Sequence, residues 1–341
     1  MAETHVPWPA GAATGIGSLP GRDPGEALRF VAEELPDLPH LPELPDRGPG
    51  ADLTGRGGAL LAGMHVDLQP SGWRLVPRSG ADERRAVDLL ARDLDAFESG
   101  LADFDGVVKI QVVGPLTLAA SLQLPRGGPV LADQGARRDL AEALAAGVGT
   151  HCAEVRRRLP RAATVLLQLD EPLLPAVLAG RVPTASGFGA VGPLEEFRAR
   201  SLLGDVVTAA DVPVVVHCCA AAPPLPLIVA AGARALSVDA AMLSQRDDEA
   251  LGAAIEAGVG LWLGLVPALG PGVAPTVARI VAPARSLWRR LGLPAERLAT
   301  HVGVTPACGL AGASPGWVHT ALRLSRQAGR VLADAPQDVH G

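Results

Sequence analysis

The sequence predicts an α/β protein built as a (β/α)8 barrel, and three observations support this fold class. Short apolar, β-branched segments alternate with helical patterns, as in strand-helix units around a parallel sheet. Eight such segments can be identified, each followed by a helical pattern, which matches the eight units of a TIM barrel. The length of 341 residues is one that such barrels reach as one domain. We therefore expect a single barrel domain over residues 1–341, with a doubly wound open sheet as the alternative fold.

The predicted strands and helices alternate along the chain. The strand segments are Thr14–Gly17, Leu38–Leu41, Val107–Val113, Thr164–Leu169, Pro213–Val216, Ala235–Val238, Gly260–Leu265 and Thr300–Val304. The helical patterns cover Asp23–Glu34, Asp82–Ala102, Asp133–Arg158, Pro193–Ala210, Pro223–Ala231, Asp247–Ala257, Thr276–Leu291 and Pro315–Ala333. The first two strands are short, and the second contains Pro39, which cannot donate a backbone hydrogen bond. Residues 44–80, rich in Gly and Pro, are expected to form an insertion after the second strand, as a hairpin or a lid.

Composition and charge exclude several classes of protein. Hydrophobic residues make up 48% of the chain, but Gly, Pro or charged residues interrupt each apolar stretch before the ~18–20 residues that a membrane helix needs. The net charge of −6 and the lack of a long basic run argue against a nucleic-acid surface. No secretory signal is visible, and the four cysteines suit metal binding in a reducing compartment, so we expect a cytoplasmic protein. The single lysine, Lys109, matches the codon usage of a GC-rich genome.

The residues directly after the predicted strands are the candidates for a functional site, because the active sites of parallel barrels lie at the C-terminal ends of their strands. Polar residues stand at most of these positions: Ser18, Glu43, Thr117, Asp170, Glu171, His217, Cys219, Asp239 and Cys308. If the barrel forms, these side chains share one rim.

A metal site is predicted from the tripeptide His217-Cys218-Cys219, which follows the apolar run Val212–Val216. Residues i and i+2 of an extended strand point the same way, so His217 and Cys219 can face one metal while Cys218 points elsewhere. Cys308 follows the eighth strand and can join them, with Asp239 as a weaker fourth ligand. Two thiolates and one imidazole select zinc over magnesium or calcium. Each of these residues alone would be an ordinary small buried side chain, and it is the set that indicates a metal.

Two further motifs allow both a functional and a structural interpretation. Asp170 and Glu171 end an apolar strand, where carboxylates can hold an amine, act as acid or base, or simply favour the N-terminus of the next helix. The Gly-rich turn Thr14–Pro20 can bind an anion through its backbone amides or serve as a plain tight turn. It lacks the full dinucleotide fingerprint and a P-loop lysine.

Together these motifs resemble a known family, the catalytic, zinc-binding barrel of cobalamin-independent methionine synthase. The matching segments are Ile16-Gly-Ser-Leu-Pro20, Gln168-Leu-Asp-Glu-Pro172, His217-Cys-Cys219, Ser237-Val-Asp239 and Pro306-Ala-Cys-Gly-Leu310. They run from the first predicted strand to the eighth, and their ordered combination is specific although each segment alone is not. The resemblance implies a zinc-dependent methyltransferase that methylates the thiol of homocysteine to form methionine.

The resemblance also implies roles for individual residues. His217, Cys219 and Cys308 match three zinc ligands of the family, and Asp239 stands where the family has a glutamate ligand. A zinc ion would lower the pKa of a thiol that binds it, so that a thiolate is available at neutral pH.

The substrate would be held at its amino-acid end. Ile16, Gly17 and Ser18 match the turn that holds the substrate carboxylate, whereas Asp170 and Glu43 match the acids that hold its amino group. Asp170 is therefore the predicted catalytic residue within the substrate site.

The sequence departs from the family pattern in three respects. Full-length family members carry a second, N-terminal barrel that helps to hold the folate donor, whereas this chain resembles a short, single-barrel core form. For that form the expected methyl donor is a methylated corrinoid, free or carried by a partner protein. The loop Val266–Val273 after the seventh strand lacks the histidine that in the family protonates the folate leaving group. Asp239 is one methylene shorter than the glutamate that it replaces.

Two other interpretations stay open. One is a related barrel family that transfers methyl groups between corrinoids and coenzyme thiols or decarboxylates porphyrins; its methyl-transferring members also use His-x-Cys and a later Cys for zinc. The acids Glu43 and Asp170 argue against it, since a thiol without an amino group gives them nothing to bind. The other is a non-catalytic zinc-binding paralogue that has kept the fold and lost turnover.

Overall fold

A curled, parallel β-sheet forms the centre of the computed structural model, which describes residues 6–184 and 187–336. A separate antiparallel hairpin precedes this sheet in the chain and consists of strands β1 (His65–Gln69) and β2 (Gly72–Val76). Within the described residues the parallel sheet has six strands: β3 (Val107–Val113), β4 (Thr164–Asp170), β5 (Val214–Cys218), β6 (Ala235–Asp239), β7 (Gly260–Val266) and β8 (Val302–Pro306). Each strand pairs with the next one along the chain, so all six carboxyl ends lie at one edge of the sheet.

Helices return the chain between the strands. They are α1 (Pro24–Glu34), α2 (Leu53–Leu60), α3 (Ala81–Leu101), α4 (Pro115–Ser121), α5 (Gln134–Arg158), α6 (Leu174–Leu178), α7 (Glu196–Ala209), α8 (Leu225–Ala230), α9 (Asp248–Glu256), α10 (Val277–Leu291), α11 (Ala295–His301) and α12 (Pro315–Asp334). Each predicted helical pattern overlaps one of these helices, whereas the short helices α2, α4, α6 and α11 were not predicted. No helix within the described parts of the chain combines the length and apolar character needed to cross a bilayer.

The eight-stranded prediction holds for six strands only. The segments Thr14–Gly17 and Leu38–Leu41 form isolated bridges instead of strands: Ala13 pairs with Val304, Ser18 with Glu43, and His40 with Lys109. Pro39 and Pro42 flank His40 and have no N–H to donate, so this segment cannot extend its pairing along β3. The structure therefore shows a curled six-stranded sheet within the described residues where the sequence predicts a complete barrel.

Alternation of side chains divides the sheet into two faces. On one face, residues such as Ile110, Leu167, Val216 and Leu263 are fully buried in the main core, against the helices. On the concave face, a smaller apolar cluster forms from Val6, Trp8, Ala12, Leu38, Leu166, Val215, Ala235 and Trp262. Two residues further along β4, β5 and β6 the concave face becomes polar, with Gln168, His217 and Ser237 all buried. The concave face is therefore packed with apolar side chains toward the amino ends of the strands and lined with polar side chains toward their carboxyl ends.

The 44–80 region contains α2 and the β1–β2 hairpin, and it is anchored from both sides. Asp52 accepts a hydrogen bond from the Gly55 N–H at 2.7 Å, which caps α2, and a second from Trp73 Nε1 at 3.1 Å, which ties the hairpin to that helix. The C-terminal end of α2 lies so close to α5 that a Cβ added at Gly147 would overlap the carbonyl oxygen of Leu60. Glycine at position 147 is therefore required for α2 to dock.

We expect opposite effects from alanine at two helical glycines. Gly147→Ala should lower the free energy of unfolding by about 1–3 kcal/mol, because the new methyl group pushes α2 away from α5. Gly252→Ala in α9 meets nothing within 4 Å, so the better helix propensity of alanine should raise stability by up to about 1 kcal/mol. Urea denaturation of both variants measures the difference. If both variants changed the free energy of unfolding equally and in the same direction, close packing of α2 against residue 147 would be contradicted.

Candidate functional site

The carboxyl edge of the sheet opens into one cleft of about 280 Å³. Seven of the nine predicted site residues line it: Ile16, Ser18, Glu43, Asp170, His217, Cys219 and Cys308. The 44–80 region adds Pro45, Ala51, Asp52 and Leu53 as one wall. Gly17 lies in the backbone between two lining residues, and Asp239 stands at the end of β6 outside the lining. Polar groups more than 250 residues apart in sequence therefore meet in a space that suits a small amino-acid-sized ligand.

Three soft donors come together in this cleft. One ligand atom each from His217, Cys219 and Cys308 lies within 4.8 Å of the other two, and the two sulfur atoms are 3.5 Å apart. The His217 ring is buried, and its Nδ1 lies 3.0 Å from the hydroxyl oxygen of Ser237 on the adjacent strand. This hydrogen bond fixes the orientation of the ring. Its other nitrogen, Nε2, is buried and has no hydrogen-bond partner among the described residues.

These residues fit a zinc ion. A buried imidazole nitrogen without a partner is costly unless it binds something, and one imidazole with two thiols is a donor set that zinc prefers over hard cations. Two sulfurs on one tetrahedral zinc lie about 3.8 Å apart, close to the separation found here. Cys218 packs in the main core on the opposite face of the strand, as alternation requires.

The two cleft thiols share a proton unequally. The pKa of Cys308 is lowered to about 4, chiefly because the Cys219 thiol hydrogen-bonds to its sulfur. The pKa of Cys219 is raised in turn, because ionising it breaks that bond and places two negative sulfurs side by side. Burial raises the pKa of Cys218 and of Cys152 to about 12, so both remain protonated thiols. Of the four cysteines, only Cys308 therefore offers a thiolate near neutral pH.

Asp239 lies beside this cluster but outside it. Its Oδ1 accepts a hydrogen bond from the Ala241 N–H at 2.9 Å, which caps the short turn after β6. Partial burial raises its pKa, and the neighbouring Cys308 sulfur adds to that effect. The cluster that lies within 4.8 Å contains His217, Cys219 and Cys308 but not Asp239.

Asp170 and Glu171 have separate roles because they point in opposite directions. The Glu171 carboxylate accepts hydrogen bonds from the N–H groups of Leu116 and Thr117 at 2.8 Å and from the Thr117 hydroxyl at 2.7 Å. It therefore caps α4, the helix that follows β3, whereas the structural interpretation predicted capping of the next helix along the chain. Asp170 faces the cleft, where Gln168 Nε2 donates to its Oδ1 at 2.7 Å. Burial raises the pKa of Asp170 to about 7, against the opposing pull of nearby His217.

Glu43, the second acid in the cleft, is held by a buried cation. Its Oε1 accepts a hydrogen bond from Arg56 Nε at 3.1 Å. Arg56 also pairs with Asp93, which pairs with Arg47 at 2.7 Å, so two positive and two negative side chains alternate behind the cleft. Desolvation opposes the charge on Arg56, but Glu43 and Asp93 together raise its pKa. The network occupies one carboxylate oxygen of Glu43, Oε1, and holds this carboxylate in the wall of the cleft.

The turn at Ile16–Ser18 is clamped between two other segments. Glu43 N–H donates to the Gly17 carbonyl at 3.1 Å, and Leu19 N–H donates to the Glu43 carbonyl at 2.9 Å. On the other side, Leu310 N–H donates to the Ser18 carbonyl at 2.8 Å. Gly17 has a φ of 155°, and a Cβ there would lie 2.8 Å from the Gln111 side chain. Only glycine lets this turn settle against β3.

Five buried polar residues near the cleft were not predicted as part of a site. They are Lys109, Gln111, Gln168, Arg56 and Asp93. The signal for two of them was visible in the sequence, since Lys109 and Gln111 interrupt the apolar segment Val107–Val113 at alternate positions. Asp93 lies in a predicted helical pattern and Arg56 in the predicted 44–80 insertion, and nothing local marks either residue as buried.

The family of the chain follows from a comparison of sequences. Residues 103–331 match the family model described as the cobalamin-independent synthase, catalytic domain. This match covers more than half of the chain. The chain belongs to that family, which confirms the resemblance seen in its motifs. The matched region contains Asp170 and the His217–Cys219–Cys308 cluster, and it begins after the segments that carry Ile16–Ser18 and Glu43.

Similarity to solved structures supports the fold of this synthase-family chain. The B12-independent methionine synthase from Shewanella sp. W3-18-1, in complex with selenomethionine, is 11% identical and covers 96% of this chain and 99% of that chain, with a TM-score of 0.61. At this identity the likeness concerns the fold alone. Two other solved structures each have a TM-score of 0.30, which is too low to indicate a shared fold. One is an uncharacterized protein, 15% identical, that covers 74% of this chain and 68% of that chain. The other is a lactate oxidase from Pediococcus acidilactici, 11% identical, that covers 96% of this chain and 95% of that chain. No curated protein matches the sequence.

The buried ion network behind the cleft gives a stability prediction. Arg56→Met should lower the free energy of unfolding by about 3 kcal/mol or more, because it leaves Glu43 without its cation and Asp93 with one partner instead of two. The matched control is Arg92→Met, whose exposed pair with Asp88 should contribute under about 1 kcal/mol. Urea denaturation at neutral pH measures both variants. A loss at Arg56 no larger than that at Arg92 would contradict the network.

Proposed function

We propose that the protein is a zinc-dependent methyltransferase that transfers a methyl group to the thiol of homocysteine and so forms methionine. Membership of the synthase family already indicates a methionine-synthase-like catalytic domain. The observation that carries the finer proposal is the meeting of two kinds of group in one cleft: a soft donor cluster of His217, Cys219 and Cys308, and the acids Asp170 and Glu43. The cluster suits a thiol-activating metal, and the acids suit an amino group.

His217, Cys219 and Cys308 would hold the zinc ion, and Asp239 or a solvent molecule would complete its coordination. Zinc, when bound, lowers the pKa of a thiol at the same site, so that the thiolate needed as nucleophile is available at neutral pH. Ser237 would keep the His217 ring in the orientation that directs Nε2 into the cleft.

The other residues would bind the amino-acid end of the substrate. The carboxylates of Asp170 and Glu43 would accept hydrogen bonds from its ammonium group, and the ammonium would in turn favour the ionised form of Asp170. The turn at Ile16, Gly17 and Ser18 would hold the substrate carboxylate. This arrangement selects an amino-acid thiol over a coenzyme thiol, which has no amino group at the corresponding position.

The same proposal includes the architecture. We infer that the bridged segments around Thr14 and His40 take the places of the first two strands of a (β/α)8 barrel, since they bridge to Val304 of β8 and Lys109 of β3. Residues 1–341 would then form one domain, with the 44–80 region as an insertion that walls the cleft.

The proposed methyl donor is a methylated corrinoid, free or on a partner protein, in place of a methylated folate. The loop Val266–Val273 contains no histidine and therefore provides no imidazole to protonate a folate leaving group. A corrinoid leaving group needs no proton. Transfer from methyltetrahydrofolate but not from methylcobalamin would overturn this part of the proposal.

Metal analysis tests the cluster. We expect one zinc per chain in the wild-type protein, and a zinc content near zero in His217→Ala, Cys219→Ser and Cys308→Ser variants, because two remaining protein ligands bind zinc weakly. Cys218→Ser is the matched control, since that thiol faces the core, and it should keep its zinc. A wild-type protein without zinc would refute the proposed centre. Full zinc with no methyl transfer to any thiol would instead favour a non-catalytic zinc-binding paralogue.

Substrate discrimination tests the acids. Asp170→Ala should raise the KM for homocysteine by about 10- to 100-fold, the effect of losing one charge-assisted hydrogen bond to a buried ammonium. The KM for 4-mercaptobutanoate, which is homocysteine without its amino group, should change far less. Steady-state assays with methylcobalamin as donor measure both values. An unchanged KM for homocysteine would count against this substrate and in favour of a coenzyme thiol.

A further inference from the structure

The only lysine of the chain, Lys109, is fully buried on the concave face of the sheet. It stands in the middle of β3, where barrels are usually filled by branched apolar side chains. Removing an ammonium group from water is costly unless hydrogen bonds and opposite charges replace the lost solvation. An apolar residue would fill the same volume without that cost, so the position calls for an explanation in terms of the neighbouring site.

The contacts of Lys109 match a charged ammonium group. Its Nζ donates to the Ile16 carbonyl oxygen at 3.0 Å, to Gln111 Oε1 at 3.0 Å and to Gln168 Oε1 at 2.9 Å. Three acceptors use all three N–H groups of an ammonium, whereas a neutral amine has two.

Three charged or titratable side chains lie near this ammonium. Asp170 from β4 and Glu43 from the segment before α2 attract it, and His40 of the bridged segment is close enough for the charge of Lys109 to lower its pKa. Burial lowers the pKa of Lys109 to about 7, and the two acids oppose that shift.

These contacts join two parts of the cleft. The Ile16 carbonyl that accepts from Lys109 also accepts from Gln168 Nε2 at 2.8 Å. Gln168 Nε2 donates as well to Asp170 Oδ1 at 2.7 Å. One buried network therefore connects the backbone of the Ile16–Ser18 turn with the Asp170 carboxylate, and Lys109 holds both the turn and the glutamine.

We propose that Lys109 is a positioning residue that fixes the Ile16–Ser18 turn relative to Asp170 and thereby sets the affinity of the cleft for the amino-acid end of its substrate. The inference rests on the proposed function, because those two elements are the ones assigned to the carboxylate and the amino group. Lys109 lies beneath the cleft and does not line it, so it acts through Ile16 and Gln168. Without the hydrogen bonds of Lys109, the Ile16–Ser18 turn and the Asp170 carboxylate can shift independently. They then no longer match the carboxylate and the amino group of one substrate molecule.

The test compares zinc-loaded wild-type protein with Lys109→Met, which keeps an unbranched chain and removes the donors. Its control is Ile110→Met, the next residue of β3, which is buried on the opposite face. For Lys109→Met we expect the KM for homocysteine to rise at least 10-fold while kcat changes less than 3-fold. With propane-1-thiol, which lacks both the amino and the carboxylate group, methylation at a fixed concentration should be unchanged. Ile110→Met should match wild type with both thiols. An equal loss of activity with the two thiols, or an unchanged KM for homocysteine, would overturn the proposal.

A second measurement needs no variant. Because the chain has one lysine, wild-type protein labelled with lysine that carries 13C at Cε alone gives a single side-chain signal in an NMR spectrum. We expect this signal to shift when L-homocysteine is added and to stay in place when propane-1-thiol is added. An unchanged chemical shift at a saturating concentration of homocysteine would overturn the role of Lys109.

Failure of the proposed function gives a different pattern. If wild-type protein methylates neither thiol but binds homocysteine by calorimetry, the turnover is refuted and the Lys109→Met variant should still bind at least 10-fold more weakly. If wild-type protein methylates propane-1-thiol but homocysteine neither binds nor reacts, the amino-acid site and the role of Lys109 are both refuted while methyl transfer stands. If it binds and methylates neither thiol, both proposals are refuted.

Discussion

The cleft depends on one constraint, the parallel pairing of strands β3 to β8 in chain order. Parallel pairing places all the carboxyl ends at one edge, and the register then sets which side chains are neighbours. Asp170 pairs with His217, and His217 pairs with Ser237. A shift of one residue would reverse the faces of each strand, and the imidazole would point into the helix layer with Cys218 in its place. The soft donor cluster and the acid beside it are thus consequences of strand register.

Burial then determines what these groups can do. The concave face carries apolar residues at one end and polar residues at the other, and the buried charged side chains on this face and around the cleft are compensated in pairs or small networks. Lys109 has three acceptors, Glu171 has three donors, and Arg56 lies between two acids. His217 Nε2 is one of several buried side-chain atoms that have no hydrogen-bond partner among the described residues. It differs from the others because its residue lies in one cluster with Cys219 and Cys308, and this combination is the structural indication that a metal fits there.

The 44–80 region forms part of the cleft and also supports one of its acids. Its helix α2 supplies Arg56, which holds Glu43, and its docking on α5 requires the glycine at position 147. The same region supplies Pro45, Ala51, Asp52 and Leu53 to the lining of the cleft. The orientation of an acid that we assign to substrate binding therefore depends on helix packing well outside the sheet. The proposed recognition of the substrate amino group and the stability of this region are linked through one buried arginine, Arg56.

The sequence by itself determined the local features. Apolar, β-branched runs located β3 to β8 within two residues at either end, and strand alternation separated His217 and Cys219 from Cys218. The motifs also identified the family, because their order along the chain is specific. Such features depend on residues close together in sequence, where the strand period of two and turn chemistry are sufficient.

Only the tertiary structure decided the long-range features. It brought Cys308 to Cys219 across 89 positions, gave Glu43 its arginine, turned Glu171 into a helix cap and made Lys109 the link between Ile16 and Gln168. It also reduced the first two predicted strands to single bridges. These outcomes depend on which distant segments share an interior and on how a buried charge finds its partner there. Local patterns do not contain that information, since an arginine on a helix looks the same in sequence whether it faces water or a buried acid.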